Sequence, residues 1–115
     1  MGEQSFKNTQ QAFEQTLASA NSGRFILSLY ISGVTPKSTR AIRNIKSICD
    51  EYLKDRYQLE VIDIYQQPEL AQQEQIIAAP TLVKHLPLPL RKFIGDLTDE
   101  TRVLAGLGIR VETAS

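Results

Sequence analysis

Apolar residues occupy both faces of residues 25–32, which read Phe-Ile-Leu-Ser-Leu-Tyr-Ile-Ser. A run of this length predicts a strand at the centre of a sheet, covered on both sides. Residues 57–65 are also rich in apolar side chains, but Gln58, Glu60 and Asp63 interrupt them. This second strand is therefore predicted to have one wet face or to lie at a sheet edge.

Apolar residues with helical spacing separate the two strands. Ile42 and Ile45 begin a stripe with intervals of three and four residues, which is typical of the inner face of a helix. Thr35 is a suitable N-cap and Pro36 a suitable first helical residue, so the helix is predicted to run from Pro36 to about Leu53. Two strands joined by a long helix form a right-handed parallel βαβ unit.

The signals in the second half of the chain are weaker. Pro68 begins a polar segment that predicts a helix from Glu69 to about Ala78. Pro80 stands immediately before a further short strand. Thr98 is a candidate cap for a last helix over residues 99–105.

Two stretches in this half fit a strand or a helix equally well. They are residues 93–94, Phe-Ile, and residues 103–105, Val-Leu-Ala. A sequence that specifies one structure is usually consistent at every level, so this ambiguity is a possible signature of two competing folds.

The 115 residues fit one domain with a single hydrophobic core. We expect that domain at residues 24–110, between a flexible extension at residues 1–23 and a short tail at residues 111–115. The extension is rich in Gln, Asn, Ser and Thr. Its apolar residues have rough helical spacing, which leaves a short amphipathic helix as the alternative: Phe6, Phe13 and Leu17.

Charge and cysteine usage limit the classes of partner. Thirteen basic and thirteen acidic side chains cancel, so we expect no nucleic acid and no membrane surface as partner. No apolar run approaches the roughly 20 residues of a membrane span, and no secretory signal precedes the domain. The single cysteine, Cys49, excludes an internal disulfide and suits the reducing cytoplasm. We therefore expect a cytoplasmic protein.

The sequence contains no recognisable catalytic arrangement. It has no nucleophile–base pattern, no glycine-rich phosphate loop and no set of residues at metal-ligand spacing, so we expect neither an enzyme nor a cofactor. Cys49 lies on the inner stripe of the first helix and is predicted to be an inert core thiol. His85 stands alone and is predicted to be a surface or capping histidine rather than a metal ligand.

The junction between the first strand and the first helix resembles that of a thioredoxin-type domain. Such domains carry a Cys-x-x-Cys pair there, because a helix N-terminus stabilises a thiolate. Residues 33–36 read Gly-Val-Thr-Pro here, without sulfur. The resemblance implies a thioredoxin-like scaffold that binds rather than reacts, with the Ala79–Pro80 bond cis, as is usual before this strand. A thiol oxidoreductase of thioredoxin lineage is the alternative, and the missing cysteine pair is the argument against it.

Longer blocks resemble the KaiB family of circadian clock proteins over residues 25–110. They include Leu-Tyr-Ile-Ser-Gly at residues 29–33 and Ala-Pro-Thr-Leu-Val-Lys at residues 79–84. The most specific block is residues 86–97, which runs from Leu-Pro to Ile-Gly-Asp-Leu.

This resemblance implies a metamorphic α/β protein. Its resting fold is a homotetramer, a dimer of dimers, and its other fold is a thioredoxin-like, partner-bound monomer. The first half keeps its βαβ core in both folds, while the second half exchanges helices and strands. We expect the free chain in the resting fold.

The resemblance also implies the partners. The thioredoxin-like form would bind the N-terminal ring of the KaiC-type ATPase, capture KaiA, compete with a histidine kinase that carries a KaiB-like domain, and favour KaiC dephosphorylation. The family pattern assigns three groups of residues: KaiC contacts at Gln75 and Lys84, KaiA contacts at Arg40, Gln58 and Glu60, and fold-switch positions at Pro80, Gly106 and Gly108.

The sequence departs from the family pattern at three of these positions. Glu60 and Gln75 each stand where a lysine is usual, and Gly108 replaces an acidic residue. The reversed charge at Glu60 favours a divergent KaiB paralogue that works with a KaiC relative and without KaiA. The lost charge at Gln75 leaves open a KaiB-like interaction module in stress signalling that uses neither KaiC nor KaiA.

Overall fold

The computed structural model describes residues 24–109, which form a mixed sheet with the strand order β2-β1-β3-β4. The strands are β1 (Phe25–Ile31), β2 (Tyr57–Asp63), β3 (Thr81–Leu86) and β4 (Arg91–Ile94). β1 is parallel to β2, and β3 is antiparallel to both β1 and β4. The helices are α1 (Pro36–Ile48), α2 (Pro68–Gln73) and α3 (Glu100–Leu107).

The first half of the chain has the predicted βαβ unit. β1 lies inside the sheet, with Leu29 opposite Val61 of β2 and opposite Leu82 of β3. Its side chains alternate between two covered faces, so Leu29 is fully buried on one face and Tyr30 is almost fully buried on the other. β2 is an edge strand, which confirms one of the two alternatives predicted from its interrupted pattern.

α1 begins as the sequence predicts. The Thr35 hydroxyl accepts a hydrogen bond from the Ser38 backbone N–H (3.0 Å), and the Thr35 N–H donates to the Ser38 hydroxyl (2.8 Å). This capping box satisfies two backbone groups that have no helical partner. The α-helix ends at Ile48, earlier than predicted, and a π-helical segment (Cys49–Leu53) completes the predicted length.

The two faces of the sheet are covered unequally. On the first face, α1 and α3 pack over β1 and β3 in a large apolar cluster that includes Leu29, Ile45, Leu82 and Leu107. On the second face, the six-residue α2 covers a smaller cluster of Tyr30, Ile62, Ala71 and Val83.

Two predicted features of the second half are wrong. α2 ends at Gln73, not near Ala78, because Gln75 has a left-handed φ of 56°, which does not continue a helix. The N-cap of α3 is Asp99, whose carboxylate accepts from the Arg102 N–H at 3.2 Å. Thr98 precedes the N-cap, and its hydroxyl donates to the Asp96 carboxylate.

The ambiguous stretches take definite structures in this chain. Residues 93–94 end β4, and residues 103–105 lie inside α3. The expectation that the free chain takes a resting tetrameric fold stays a prediction.

The Ala79–Pro80 bond is cis, as predicted, and the Leu86–Pro87 and Leu88–Pro89 bonds are also cis. Within residues 24–109, no helix has the length and apolar character that a bilayer crossing requires. The predicted extension at residues 1–23 and the predicted tail at residues 111–115 lie outside the described residues.

Candidate functional site

Several exposed apolar side chains lie at one end of the sheet. The carboxyl ends of β1 and β2 lie at this end because the two strands are parallel, and β3 begins there because it is antiparallel to β1. The connections carry Val34, Tyr65 and Ile77, which are 90%, 75% and 89% exposed. We call these three residues the apolar rim. Open α/β sheets usually bind ligands at the carboxyl ends of their strands, so the apolar rim is the candidate functional site.

The Asp63 carboxylate joins two connections of the apolar rim. Its Oδ1 accepts from the Tyr65 N–H at 2.9 Å and lies 3.4 Å from the Gly33 nitrogen. Gly33 has a φ of 74°, a left-handed conformation that favours glycine. Because one side chain holds both loops, the loops that carry Val34 and Tyr65 are fixed relative to each other.

The third connection, before β3, is held from both sides. The Thr81 hydroxyl donates to the Ala78 carbonyl at 2.7 Å, and the Gly95 N–H donates to the carbonyl of buried Pro80 at 2.9 Å. The Lys92 ammonium donates to the carbonyl of Glu74. These bonds fix the backbone on either side of Ile77, while its side chain points away from the core.

The end of the sheet that holds the apolar rim has no reactive thiol. Residues 33–36 contain no sulfur, and Cys49 is fully buried in the first-face cluster. Burial, and then the nearby Asp50 charge, raise the pKa of Cys49 to about 12. A thiol that stays protonated is a poor nucleophile, which confirms the predicted inert core thiol. Within residues 24–109, no group of three His, Cys, Asp or Glu residues is arranged to hold a metal ion.

The raised pKa of Cys49 predicts a loss of stability in alkali. The unfolded thiol loses its proton near pH 9.0 and the folded one only near pH 12, so the unfolded state binds fewer protons between these values. The free energy of unfolding should therefore fall as pH rises through this window, by about 1.4 kcal/mol at pH 10 relative to pH 7. Urea titrations at pH 7, 8, 9 and 10 measure it. The Cys49→Ala variant is the control, and an equally steep fall in that variant would assign the loss to other groups.

The two residues predicted to contact KaiC lie on different faces of the sheet. Gln75 is exposed, directly after α2, and so lies on the second-face side near Ile77. Lys84 shares the first face with its cross-strand neighbour Leu27 and is 3% exposed. Burial, and then the Arg91 charge, lower the pKa of Lys84. This arrangement offers a partner almost none of Lys84, and its contact with KaiC stays a prediction.

The structure does not bring the three predicted KaiA contacts together. Gln58 and Glu60 are exposed on β2, at one edge of the sheet. Arg40 lies on α1 and forms a 3.2 Å ion pair with Asp96, which follows β4 at the opposite edge. The Thr98 hydroxyl and then Arg40 lower the pKa of Asp96. A partner that binds the β2 edge would therefore not meet Arg40 in the same contact.

The predicted switch glycines have different environments in α3. Gly108 ends the helix with a φ of 79°, and open space surrounds the position that a Cβ would take. A left-handed C-cap favours glycine, so Gly108 stabilises this end of α3. A Cβ on Gly106 would instead overlap the ring of Phe93 from β4. The backbone conformation therefore favours glycine at position 108, and packing against Phe93 favours it at position 106.

This difference predicts a background-dependent effect of Gly106→Ala. Alanine gains about 1 kcal/mol of helix propensity, but overpacking against Phe93 costs about 1–3 kcal/mol. We expect Gly106→Ala to lower the free energy of unfolding in the wild-type background and to raise it in the Phe93→Leu background, where the ring is removed. Urea titrations of the four proteins form the double-mutant cycle.

Gly108→Ala is the matched control for that cycle. It should cost about 1 kcal/mol in either background, because its penalty comes from the backbone conformation. Additivity of Gly106→Ala and Phe93→Leu would show that the two residues do not touch in solution.

Sequence reasoning missed all three residues of the apolar rim. A signal was available only for Val34, a large apolar residue in the turn at residues 33–36, because Tyr65 and Ile77 fell inside the predicted second strand and second helix. Val34 lies between Gly33 and Thr35, and Ile77 follows a polar helix. The sequence shows Asp63 only as a polar residue that interrupts the second strand, and its hydrogen bonds between two loops follow only from the structure.

Comparison with known proteins supports a single family. The family model for the KaiB domain matches residues 28–109. The chain is 47% identical over 88 residues to the circadian clock oscillator protein KaiB of Microcystis aeruginosa, covering 76% of this chain and 85% of that protein. It is 48% identical over 86 residues to the circadian clock protein KaiB3 of a Synechocystis species, covering 75% and 84%.

Solved structures confirm the thioredoxin-like fold. The N-terminal domain of SasA from Synechococcus elongatus superimposes with a TM-score of 0.62 at 24% identity, covering 78% of this chain and 89% of that one. The thioredoxin Deadhead of Drosophila melanogaster superimposes with a TM-score of 0.61 at 17% identity, covering 87% and 91%.

Proposed function

Because this chain belongs to the KaiB family of circadian clock proteins, we propose that it binds the ring of a KaiC-type ATPase and promotes the dephosphorylation phase of that ATPase. The observation that supports this proposal is the apolar rim. Exposed Val34 lies in the sulfur-free segment 33–36, where a redox protein of this fold would hold its thiols, and exposed Tyr65 and Ile77 lie in the other two connections at the same end of the sheet.

The apolar rim has the properties of a binding surface. Burying a Val or Ile side chain contributes about 1.5–3 kcal/mol, and aromatic residues are enriched among the residues that dominate interfaces. The loops of Val34 and Tyr65 are held by Asp63, so little conformational entropy is lost when a partner orders them. Gln75 lies close by in the sequence and would contact the same ring.

We further propose that the protein is not an enzyme. Cys49 is buried and protonated, and residues 33–36 contain no sulfur, so the chain supplies no thiol nucleophile. Its effect on phosphorylation would come from the state of the ring that it binds, since a ligand shifts an equilibrium by its difference in affinity for two states.

The other proposed partners depend on the same ring. A histidine kinase with a domain of this fold would compete for the apolar-rim site, and the fold of the SasA N-terminal domain is compatible with such competition. KaiA would meet exposed Gln58 and Glu60 on the β2 edge, where the acidic Glu60 would repel a partner selected for a lysine. The uncharged Gln75 favours, as a second candidate, an interaction module in stress signalling that uses neither KaiC nor KaiA.

Slow complex formation tests the proposal. The chain is incubated for hours with a KaiC-type hexamer and nucleotide in a buffer of cytoplasmic pH and ionic strength. Co-elution of the chain with the hexamer is then followed over time by size-exclusion chromatography. A resting homotetramer must dissociate and change fold first, so we expect a stoichiometric complex to appear slowly. A stable tetramer that never co-elutes with the ring contradicts KaiC binding, and recovery of a signalling kinase instead from cell extract supports the stress-signalling module.

A further inference from the structure

The outer side of β4 presents backbone hydrogen-bonding groups that point away from the sheet. β4 is the last strand of the sheet that residues 24–109 form, and β3 lies on its inner side. The Gly95 N–H donates to the Pro80 carbonyl, and Ile94 lies opposite Thr81. Inward and outward groups alternate along an antiparallel strand. The N–H and C=O groups of Lys92 and Ile94 therefore point outward, away from β3.

The outer side of β4 is accessible. Ile94 is 66% exposed, and Arg91 and Lys92 are also exposed. A cleft of about 450 Å³ lies beside the strand, bounded by Phe93 and Ile94, by the loop at residues 95–99 and by the first half of α3. Outward backbone groups on an exposed edge are a template for a strand of another chain, and this edge has room for one.

The side chains of β4 define what such a strand must match. Phe93 lies on the first face, where its ring meets α3 at Gly106. Lys92 and Ile94 lie on the second face, because Lys92 is opposite Val83 of the second-face cluster. Opposite residues of paired strands share a face, so an added strand must bring apolar groups to both faces.

Charge is distributed unevenly along this part of the chain. Residues 91–92 are Arg-Lys, whereas residues 96–102 hold three acidic side chains against the single basic Arg102. Arg40 neutralises one of the three, Asp96, and the end after β4 stays negative. Antiparallel pairing of this segment with its own copy brings each basic start beside an acidic end, whereas parallel pairing brings like charges together. The segment is therefore complementary to itself in the antiparallel direction.

We propose that β4 pairs antiparallel with β4 of a second copy of this chain, with Phe93 at the two-fold axis. Lys92 of each copy then lies opposite Ile94 of the other. In this register the outward N–H and C=O groups of both residues, in both copies, form four hydrogen bonds. A shift of two residues in either direction would leave some of these groups without a partner in β4.

The side chains also match in this register. The two Phe93 rings meet on the first face at a position without hydrogen bonds, where opposite side chains are closest and aromatic pairs stabilise a sheet. On the second face, the aliphatic stem of Lys92 covers Ile94 of the second copy. Arg91 lies opposite Gly95 of the second copy, which has no side chain and leaves room for the guanidinium near the acidic end.

The pairing is small and uses no residue of the apolar rim. Four residues from each copy form an interface at the low end of the size range, so the dimer is weak and reversible. It is independent of ring binding. Because the pairing needs β4, a higher concentration of the chain stabilises the arrangement that contains this strand.

Ile94→Pro tests the outward hydrogen bonds. Proline removes the outward N–H of residue 94 and no bond to β3, and an edge strand tolerates it there. Two of the four bonds across the axis are lost, so we expect the dissociation constant of the dimer to rise by at least about tenfold. Sedimentation velocity of the full-length chain over a range of concentrations measures this constant. Ile94→Val keeps the N–H and is the control that should still dimerise, and circular dichroism verifies the fold of each variant.

A disulfide between two copies tests the register. The two Cα atoms at position 93 should lie about 4.5 Å apart, which a disulfide can bridge. We expect Phe93→Cys to form several-fold more disulfide-linked dimer in a glutathione buffer than Leu88→Cys, although Leu88 is 71% exposed. Cys49 does not compete, because its thiol is buried and protonated.

Two results would overturn the proposal. A wild-type chain that stays monomeric at every concentration would leave this edge to a strand of another protein. An oligomer that Ile94→Pro does not weaken, and that Leu88→Cys links as readily as Phe93→Cys, would be held by a different interface, such as that of a resting tetramer. Ring binding by Ile94→Pro should be unchanged, so a failure of the pairing is distinguishable from a failure of the proposed function.

Discussion

Ile77→Asp should lower the affinity of the chain for a KaiC-type ring by at least about 100-fold. Ile77 is 89% exposed in the free chain, and its burial against a partner is worth about 1.5–3 kcal/mol. Aspartate removes this gain and adds the cost of desolvating a charge, and about 2.7 kcal/mol already corresponds to a factor of 100. Co-elution with the hexamer, titrated over ring concentration, measures the change.

Leu88→Asp is the matched control for this variant. Leu88 is also highly exposed, but it lies in the turn between β3 and β4, at the opposite end of the sheet from the apolar rim. Both variants introduce the same charge at an exposed apolar position. If Leu88→Asp weakened the complex as much as Ile77→Asp, the effect would come from net charge, and the rim would lose its assigned role.

Leu107→Ala should lower the free energy of unfolding by about 3 kcal/mol. Leu107 is fully buried at the end of α3, in the cluster that α1 and α3 form over the first face. Truncation of a fully buried leucine loses its transfer free energy and leaves a cavity, and such changes cost about 2–5 kcal/mol. Urea titration at neutral pH measures the difference from the wild-type chain.

Leu88→Ala provides the comparison at an exposed leucine and should change stability by less than about 0.5 kcal/mol. A result below about 1 kcal/mol for Leu107→Ala would show that α3 does not pack on the first face in solution. Because α3 belongs to the half of the chain that the family resemblance describes as exchanging its structure, this measurement also reports which arrangement is populated.

The first half of the fold was predictable because its signals are local and agree with one another. Residues 25–32 are apolar on both faces, and the Thr35 cap and the Pro36 start lie at the first turn of α1. Cys49 could be assigned to the core from its helical spacing alone. Each of these predictions depends on contacts within a few residues or on the period of one element.

The second half was less predictable because its elements depend on distant partners. Residues 93–94 become a strand by pairing with β3. The sequence predicts Thr98 as the cap of α3, and only the structure shows that the Asp99 carboxylate caps the helix while the Thr98 hydroxyl binds Asp96. The separation of Arg40 from Gln58 also follows from strand order, which no local pattern contains.

The sequence by itself determined the parallel βαβ unit, the absence of a cysteine pair at residues 33–36, and the resemblance to the KaiB family. These properties are written in residue types and short spacings. Only the tertiary structure decided that the three residues of the apolar rim lie at one end of the sheet. It also decided that Lys84 is buried and that Phe93 occupies the space beside Gly106. The physical reason is that exposure and packing depend on residues far apart in the chain, which meet only when the strands of the sheet are ordered.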